Sequence, residues 1–79
     1  MAHLPEPRFR SGQRVRIGGT DVEAKLLEWW RENGKPVWRV IYDPSPATDE
    51  LLLQRGRRRT RDGTIPTDLY TEDQLEPIQ

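Results

Sequence analysis

A chain of 79 residues forms one domain with a modest core, since a domain this short buries only about 60% of its unfolded surface. With no cysteine and one histidine, His3, the sequence excludes a disulfide framework, a thiol nucleophile and a zinc site of nitrogen and sulfur ligands. Thirteen basic residues balance thirteen acidic ones, so no global positive field attracts nucleic acid or an anionic membrane. Because the residue types present offer no catalytic or metal site, none is predicted. Without a membrane-length apolar run or signal-peptide features, the expectation is a cytoplasmic protein.

The first ten residues contain two prolines and no periodicity, which predicts a flexible N-terminal tail over residues 1–10 with Phe9 at the edge of the fold. The domain itself is predicted over residues 11–79. Polar and apolar residues alternate over residues 13–17, which indicates a half-buried first strand with Val15 and Ile17 facing inward.

Residues 22–30 fit either a strand or a helix by pattern alone. The pair Asn33-Gly34 decides for the strand, because both positions of a tight hairpin turn need positive φ. The alternation slips by one residue near Leu26 and Leu27, which predicts a β-bulge there.

Three tryptophans mark the predicted hairpin. Trp38 shares one face of the third strand with Val40 and Tyr42, and that face is predicted to form the core. Trp29 and Trp30 are adjacent and must point to opposite faces of the second strand. One of them is therefore predicted to lie outside the core, as a candidate partner or subunit interface.

A long connection, residues 43–63, follows the third strand. Two prolines, Pro44 and Pro46, end that strand, and the connection is predicted to be a long basic loop, with its own small hairpin carrying arginines near the tip. The basic residues of this loop are Arg55, Arg57, Arg58, Arg59 and Arg61. Their spacing favours contact with phosphate groups, and the open alternatives are an acidic protein surface or a solvated loop that binds nothing.

The C-terminal part of the chain predicts a fourth strand over residues 65–70, a single helical turn over residues 71–74 and a last strand over residues 75–78. Five short strands with one helical turn before the fifth are the order of an SH3-like barrel. The predicted fold is therefore all-β, a five-stranded SH3-like barrel with a long loop between strands 3 and 4.

Three segments carry a resemblance to known proteins. The stretches FRSGQRVR, VWRVIYD and LYTEDQLEPI resemble the SH3-like barrels of small prokaryotic modules. The sequence is most similar to the plasmid-borne type II dihydrofolate reductases. That similarity lies in Phe9, Gly12, Arg14, Val15 and Arg16, in the pair Trp29-Trp30, and in Leu69, Tyr70, Leu75, Glu76 and Ile78.

The resemblance implies a homotetramer whose central pore binds NADPH and dihydrofolate. The pore positions that it implies are Thr67, Asp68, Leu69 and Tyr70. Asp68 stands where the reductases have a glutamine. Ile17, Gly18 and Gly19 occupy the neighbourhood where the reductases have a lysine shortly after the first strand. Four copies of a carboxylate around such a pore would repel two anionic ligands.

These observations lead to one hypothesis and two alternatives. The leading hypothesis is a non-catalytic SH3-like module that needs no cofactor and contacts an anionic partner, nucleic acid or a nucleic-acid complex, through its arginine-rich loop. The first alternative is a divergent reductase-like enzyme that uses NADPH as a homo-oligomer. The second alternative is a small structural subunit of a larger complex.

Overall fold

The computed structural model describes residues 6–78, so residues 1–5 of the predicted tail and Gln79 lie outside the described residues. The elements in chain order are β1 (Arg14–Ile17), β2 (Glu23–Glu32), β3 (Lys35–Tyr42), α1 (Pro46–Gln54), β4 (Asp68–Thr71), a 3-10 turn (Glu72–Gln74) and β5 (Leu75–Pro77). The predicted all-β class, its five strands and its helical turn are confirmed.

The five strands form one antiparallel sheet in the spatial order β4-β3-β2-β1-β5. β4 and β5 are therefore the two edges, and the sheet does not close into a ring of paired strands. The sheet is confirmed, and the closed barrel stays a prediction. β4 begins at Asp68, three residues later than predicted, after Pro66, which has no N–H to donate to a neighbouring strand.

The hairpin between β2 and β3 has the predicted turn and the predicted bulge. Asn33 and Gly34 both have positive φ, at 52° and 79°. The register of the pairing shifts between Leu26 and Trp29, where an irregularity replaces regular pairing. The shift brings Trp29 opposite Trp38, so the bulge places an aromatic pair across the strands.

The core lies on one face of the sheet. Its fully or nearly fully buried apolar residues include Val15, Ala24, Leu26, Trp38, Val40 and Leu52. Trp38 is in the core, as predicted, and Trp29 packs against it from a partly buried position, with ring centroids 6.3 Å apart. Trp30 pairs with Val37 on the opposite face and is half-buried there. The prediction that the two tryptophans face opposite ways is confirmed.

An N-terminal segment is tied to the sheet by one carboxylate. Glu72 Oε2 accepts the indole N–H of Trp38 at 3.0 Å and the backbone N–H of Arg8 at 2.8 Å. Phe9, assigned to the tail by its sequence, is buried in the core, and its N–H also points to Glu72 Oε2, at 3.3 Å. Residues 8 and 9 therefore belong to the folded domain.

The connection between β3 and β4 contains a helix, α1. The prediction of a small hairpin there is wrong. The hydroxyl of Ser45 accepts the N–H of Thr48 at 3.0 Å, which caps the helix, and Pro46 is its first residue. A proline at this position loses nothing, because the first N–H groups of a helix have no partner within it. Leu52 then buries α1 against the core. Within residues 6–78, no helix is long and apolar enough to span a membrane.

We expect the two adjacent tryptophans to differ in their effect on stability. Trp29→Ala removes a ring that packs on Trp38 and should lower the free energy of unfolding by about 3 kcal/mol. Trp30→Ala removes a ring on the outer face that contacts Arg39, with 5.7 Å from the guanidinium carbon to the ring centroid, and should lower it by about 1 kcal/mol. Urea denaturation of both variants measures the difference. Equal, large losses would instead place Trp30 in an interface that stabilises the folded protein.

Candidate anionic-partner site

The arginine-rich segment, residues 55–61, leaves α1 through a Schellman turn. Gly56 has φ of 71°, the N–H of Gly56 bonds the carbonyl of Leu53 at 3.0 Å, and the N–H of Arg57 bonds the carbonyl of Leu52 at 2.8 Å. These two bonds satisfy helix carbonyls that would otherwise lack partners. The backbone geometry thus fixes the direction in which the first arginines depart from the helix.

Asp68, the first residue of β4, anchors this segment to the sheet. Its carboxylate is only 6% exposed and lies 3.0 Å from Nη1 of Arg57 and 3.4 Å from Nε of Arg55. Arg57 also donates through Nη2 to the carbonyl of Thr67 at 3.1 Å. A buried carboxylate is stable only when it is paired and hydrogen-bonded, so these two arginines have a structural role.

Two tyrosines complete the surroundings of Asp68. The hydroxyl of Tyr42 donates to Asp68 Oδ2 at 2.7 Å and lies 2.6 Å from the hydroxyl of Tyr70. Since the single hydroxyl hydrogen of Tyr42 goes to the carboxylate, Tyr70 donates to Tyr42. The guanidinium carbon of Arg55 lies 4.8 Å from the centre of the Tyr70 ring, close enough for a cation–π contact.

Burial changes the acid–base behaviour of both phenols. Burial is the largest cause that raises the pKa of Tyr42 far above its ordinary value, and the hydrogen bond that its hydroxyl donates to Asp68 adds to it. Burial also raises the pKa of Tyr70, although the nearby charge of Arg55 opposes this. Both hydroxyls therefore stay protonated at neutral pH and serve as hydrogen-bond donors.

The remaining arginines of the segment differ in their pairing. Arg59 places Nε 2.9 Å from Oδ1 of Asp49, on the exposed side of α1. Arg58 and Arg61 are exposed and form no ion pair with any of residues 6–78 at a salt-bridge distance. Their side chains are directed to solvent with no acidic neighbour to hold them.

Asp62 is hydrogen-bonded within a turn over residues 60–64. The carboxylate of Asp62 accepts the hydroxyl of Thr60 and, at 3.1 Å, the N–H of Thr64. These hydrogen bonds lower the pKa of Asp62 to about 2, with the Thr60 hydroxyl as the largest cause. Asp62 is therefore ionised at neutral pH, and its carboxylate is hydrogen-bonded to the two threonines.

The structure brings together only part of the residue set predicted from the sequence. Arg55 and Arg57 meet at Asp68, Arg59 turns to α1, and Arg58 and Arg61 point outward. Of the reductase-like positions, Asp68 and Tyr70 are buried, Thr67 is half-buried and Leu69 is 43% exposed.

The hydrogen bond from the Tyr42 hydroxyl to Asp68 was not predicted from the sequence. The one available signal was an acidic residue inside a strand, at Asp68.

No group of three or more potential metal ligands occurs among residues 6–78. No protein-family model, no curated protein and no solved structure matches this chain. The assignment of a function therefore depends on the geometry of the described residues.

The tyrosines give a direct spectroscopic test of the cluster, because Tyr42 and Tyr70 are the only two in the chain. Their raised folded-state pKa values mean that the cluster stabilises the fold fully below pH about 10, the ordinary tyrosine value, and that this contribution falls as the pH rises further. At pH about 10 we expect less phenolate absorbance from the folded protein than from the urea-unfolded chain, because both folded-state pKa values are raised. Two phenols that ionise normally in the folded protein would contradict the cluster.

The Schellman turn predicts a specific effect at Gly56. No heavy atom outside the neighbouring residues lies within 4 Å of the place where a Cβ would stand, so only the positive φ opposes a side chain. Gly56→Ala should therefore lower the free energy of unfolding by about 1–2 kcal/mol. Gly56→Asn is the matched control and should lose less, because asparagine tolerates this conformation. Equal stability of Gly56→Ala and wild type in urea would show that the turn is not held as described.

Proposed function

We propose that this protein is a non-catalytic binding module that presents arginines to the phosphate groups of a nucleic acid. The observation that carries the proposal is the division among the five arginines of residues 55–61. Arg55 and Arg57 hold the segment against the buried Asp68, and Arg58, Arg59 and Arg61 are left at the surface of a positioned segment.

The local charge supports a negatively charged partner even though the net charge of the chain is zero. Asp68 and Asp49 contact arginines of the segment, and Asp62 lies in the turn over residues 60–64. Because five arginines are opposed by only these three carboxylates, a net positive charge remains there. Arg59 uses Nε for Asp49, and its two Nη groups make no hydrogen bond or ion pair with the described residues. Each guanidinium can bind a phosphate through two parallel N–H groups.

The partner would be recognised through its backbone and not through its base sequence. Within residues 6–78 the only helix, α1, packs on the core through Leu52 and ends at Gln54, before the arginines. Phosphate contacts fix position and supply affinity, whereas specificity requires contacts with base edges. We therefore propose a module with little base preference.

The reductase-like alternative receives less support from the same geometry. Asp68 and Tyr70 occupy two of the four implied pore positions, but their side chains are buried within one subunit. Both are hydrogen-bonded there to the hydroxyl of Tyr42. Groups buried in this way are not available to line a pore between subunits. The structural-subunit alternative would use the outer face of the sheet, where Trp30 is half-buried and Ile41 and Leu69 are exposed. Exposed apolar residues of this kind are common on protein surfaces, so the arginines carry the proposal.

The proposal predicts the salt dependence of binding. Three surface arginines should give a slope of log K against log salt concentration of about −2 to −3. Arg58→Gln and Arg61→Gln should each reduce the magnitude of that slope by nearly one, roughly 0.7–0.9, and leave the denaturation midpoint unchanged. Fluorescence anisotropy with a labelled oligonucleotide over a salt series measures both effects.

Arg10→Gln is the matched control for these variants, since Arg10 is also exposed but lies outside the segment. It should leave the slope unchanged. Loss of slope from Arg10→Gln equal to that from Arg58→Gln would mean that binding is diffuse, and absence of any binding at low salt would overturn the proposed function.

A further inference from the structure

A small cleft lies between the C-terminal half of α1 and the arginine-rich segment. Its volume is about 190 Å³, and its lining residues are Asp49, Leu52, Leu53, Arg57, Arg58 and Arg59. None of these residues was predicted to form a cavity, and the proposed phosphate contacts alone do not require one.

The walls of the cleft combine apolar and cationic groups. Leu52 is 2% exposed and joins the cleft to the core, while Leu53, in the last turn of α1, is 70% exposed. A single exposed leucine needs no explanation by itself. Here, however, the exposed leucine stands beside three consecutive arginines, whose aliphatic stems extend the apolar surface.

The charge at the rim is suited to an anion. Asp49 is the only acidic residue that lines the cleft, and the ion pair with Arg59 offsets its charge. Arg57 is directed to Asp68, so Arg58 and the two Nη groups of Arg59 supply the N–H donors for a bound ligand. A ligand that fits must present an apolar group to the leucines and a negative charge to these donors.

The size of the cleft limits that apolar group to one ring or one branched side chain. Sites for drug-sized molecules have volumes of about 300–1,000 Å³, and this cleft is smaller. A nucleotide satisfies both conditions, because one planar base is joined through its sugar to the phosphate backbone.

The choice of arginine favours a nucleic acid over an acidic peptide. All five basic residues of residues 55–61 are arginines, although the chain contains lysine elsewhere. A guanidinium is planar, stacks on a base and binds phosphate through two N–H groups, whereas a lysine ammonium acts only as a point charge. A carboxylate partner also pairs with arginine, but it offers no flat surface for stacking.

We propose that this cleft receives one base of a single-stranded nucleic acid, between Leu53 and the arginine side chains, with the flanking phosphates on Arg58 and Arg59. This inference rests on the proposed function and adds strand selectivity to it. The bases of a duplex are paired and stacked inside the helix, so they cannot enter the cleft without unstacking. The module should therefore bind single strands more tightly than duplexes.

The test compares an oligothymidylate of about 12 nucleotides, a length within the range bound by small sheet domains, with the same sequence in duplex form. Anisotropy of the labelled oligonucleotides is measured with wild type and with Leu53→Ala, which removes the apolar wall and keeps a strong helix former. Leu53→Ala should weaken single-strand binding about five-fold or more, as the loss of one base contact does. It should leave the salt slope and the duplex affinity unchanged.

Ile41→Thr is the matched control, because Ile41 is an exposed aliphatic residue, 41% exposed, on the outer face of β3. It should not change binding to either oligonucleotide. Equal affinity for single strand and duplex, together with no effect of Leu53→Ala, would overturn the inference but leave salt-dependent phosphate binding intact. Tighter, Leu53-dependent binding of an acidic leucine-containing peptide would overturn it in favour of a protein partner, and no binding to any oligonucleotide would remove the proposed function itself.

Discussion

The buried carboxylate of Asp68 is the constraint on which the position of the segment between α1 and β4 depends. An ion removed from water carries a penalty of several kcal/mol, and only close donors offset it. The donors here come from two parts of the chain: Tyr42 on β3, and Arg55 and Arg57 after α1. Because both arginines must reach the start of β4, the end of α1 and the segment that follows are held at one edge of the sheet.

That constraint separates two roles within one run of like residues. Arg55, Arg57 and Arg59 make ion pairs with acids of the same chain, while Arg58, which lies between two of them, makes none with the described residues. Ion pairs fix Arg57 and Arg59 on either side of Arg58, and the Arg58 side chain stays exposed. The structural arginines thus orient the arginine that we propose binds phosphate.

The sheet and its hairpin were predictable from the sequence, because alternation and the Asn33-Gly34 turn are local signals. Helix α1 was not predicted, although Ser45 and Pro46 are typical of a helix start and Gly56 of a helix end. Pro46 is ambiguous because a proline at this point of the sequence also indicates the end of a strand. The site was predictable only as a set of arginines. Its geometry depends on contacts such as that between Tyr42 and Asp68, which are 26 residues apart, and no local pattern encodes them.

One carboxylate at the start of β4 and one directly after its end each bind an aromatic side chain of β3 and hold an irregular segment. Asp68 binds the hydroxyl of Tyr42 and holds the arginines, while Glu72 binds the indole of Trp38 and holds the backbone at Phe9. Both aromatic partners are on β3, so the most buried strand positions both segments. A domain of this size has little apolar surface to spare for its loops, and charged hydrogen bonds to core aromatics substitute for it. Ordering the arginine-rich segment in this way would reduce the conformational entropy lost in the binding that we propose.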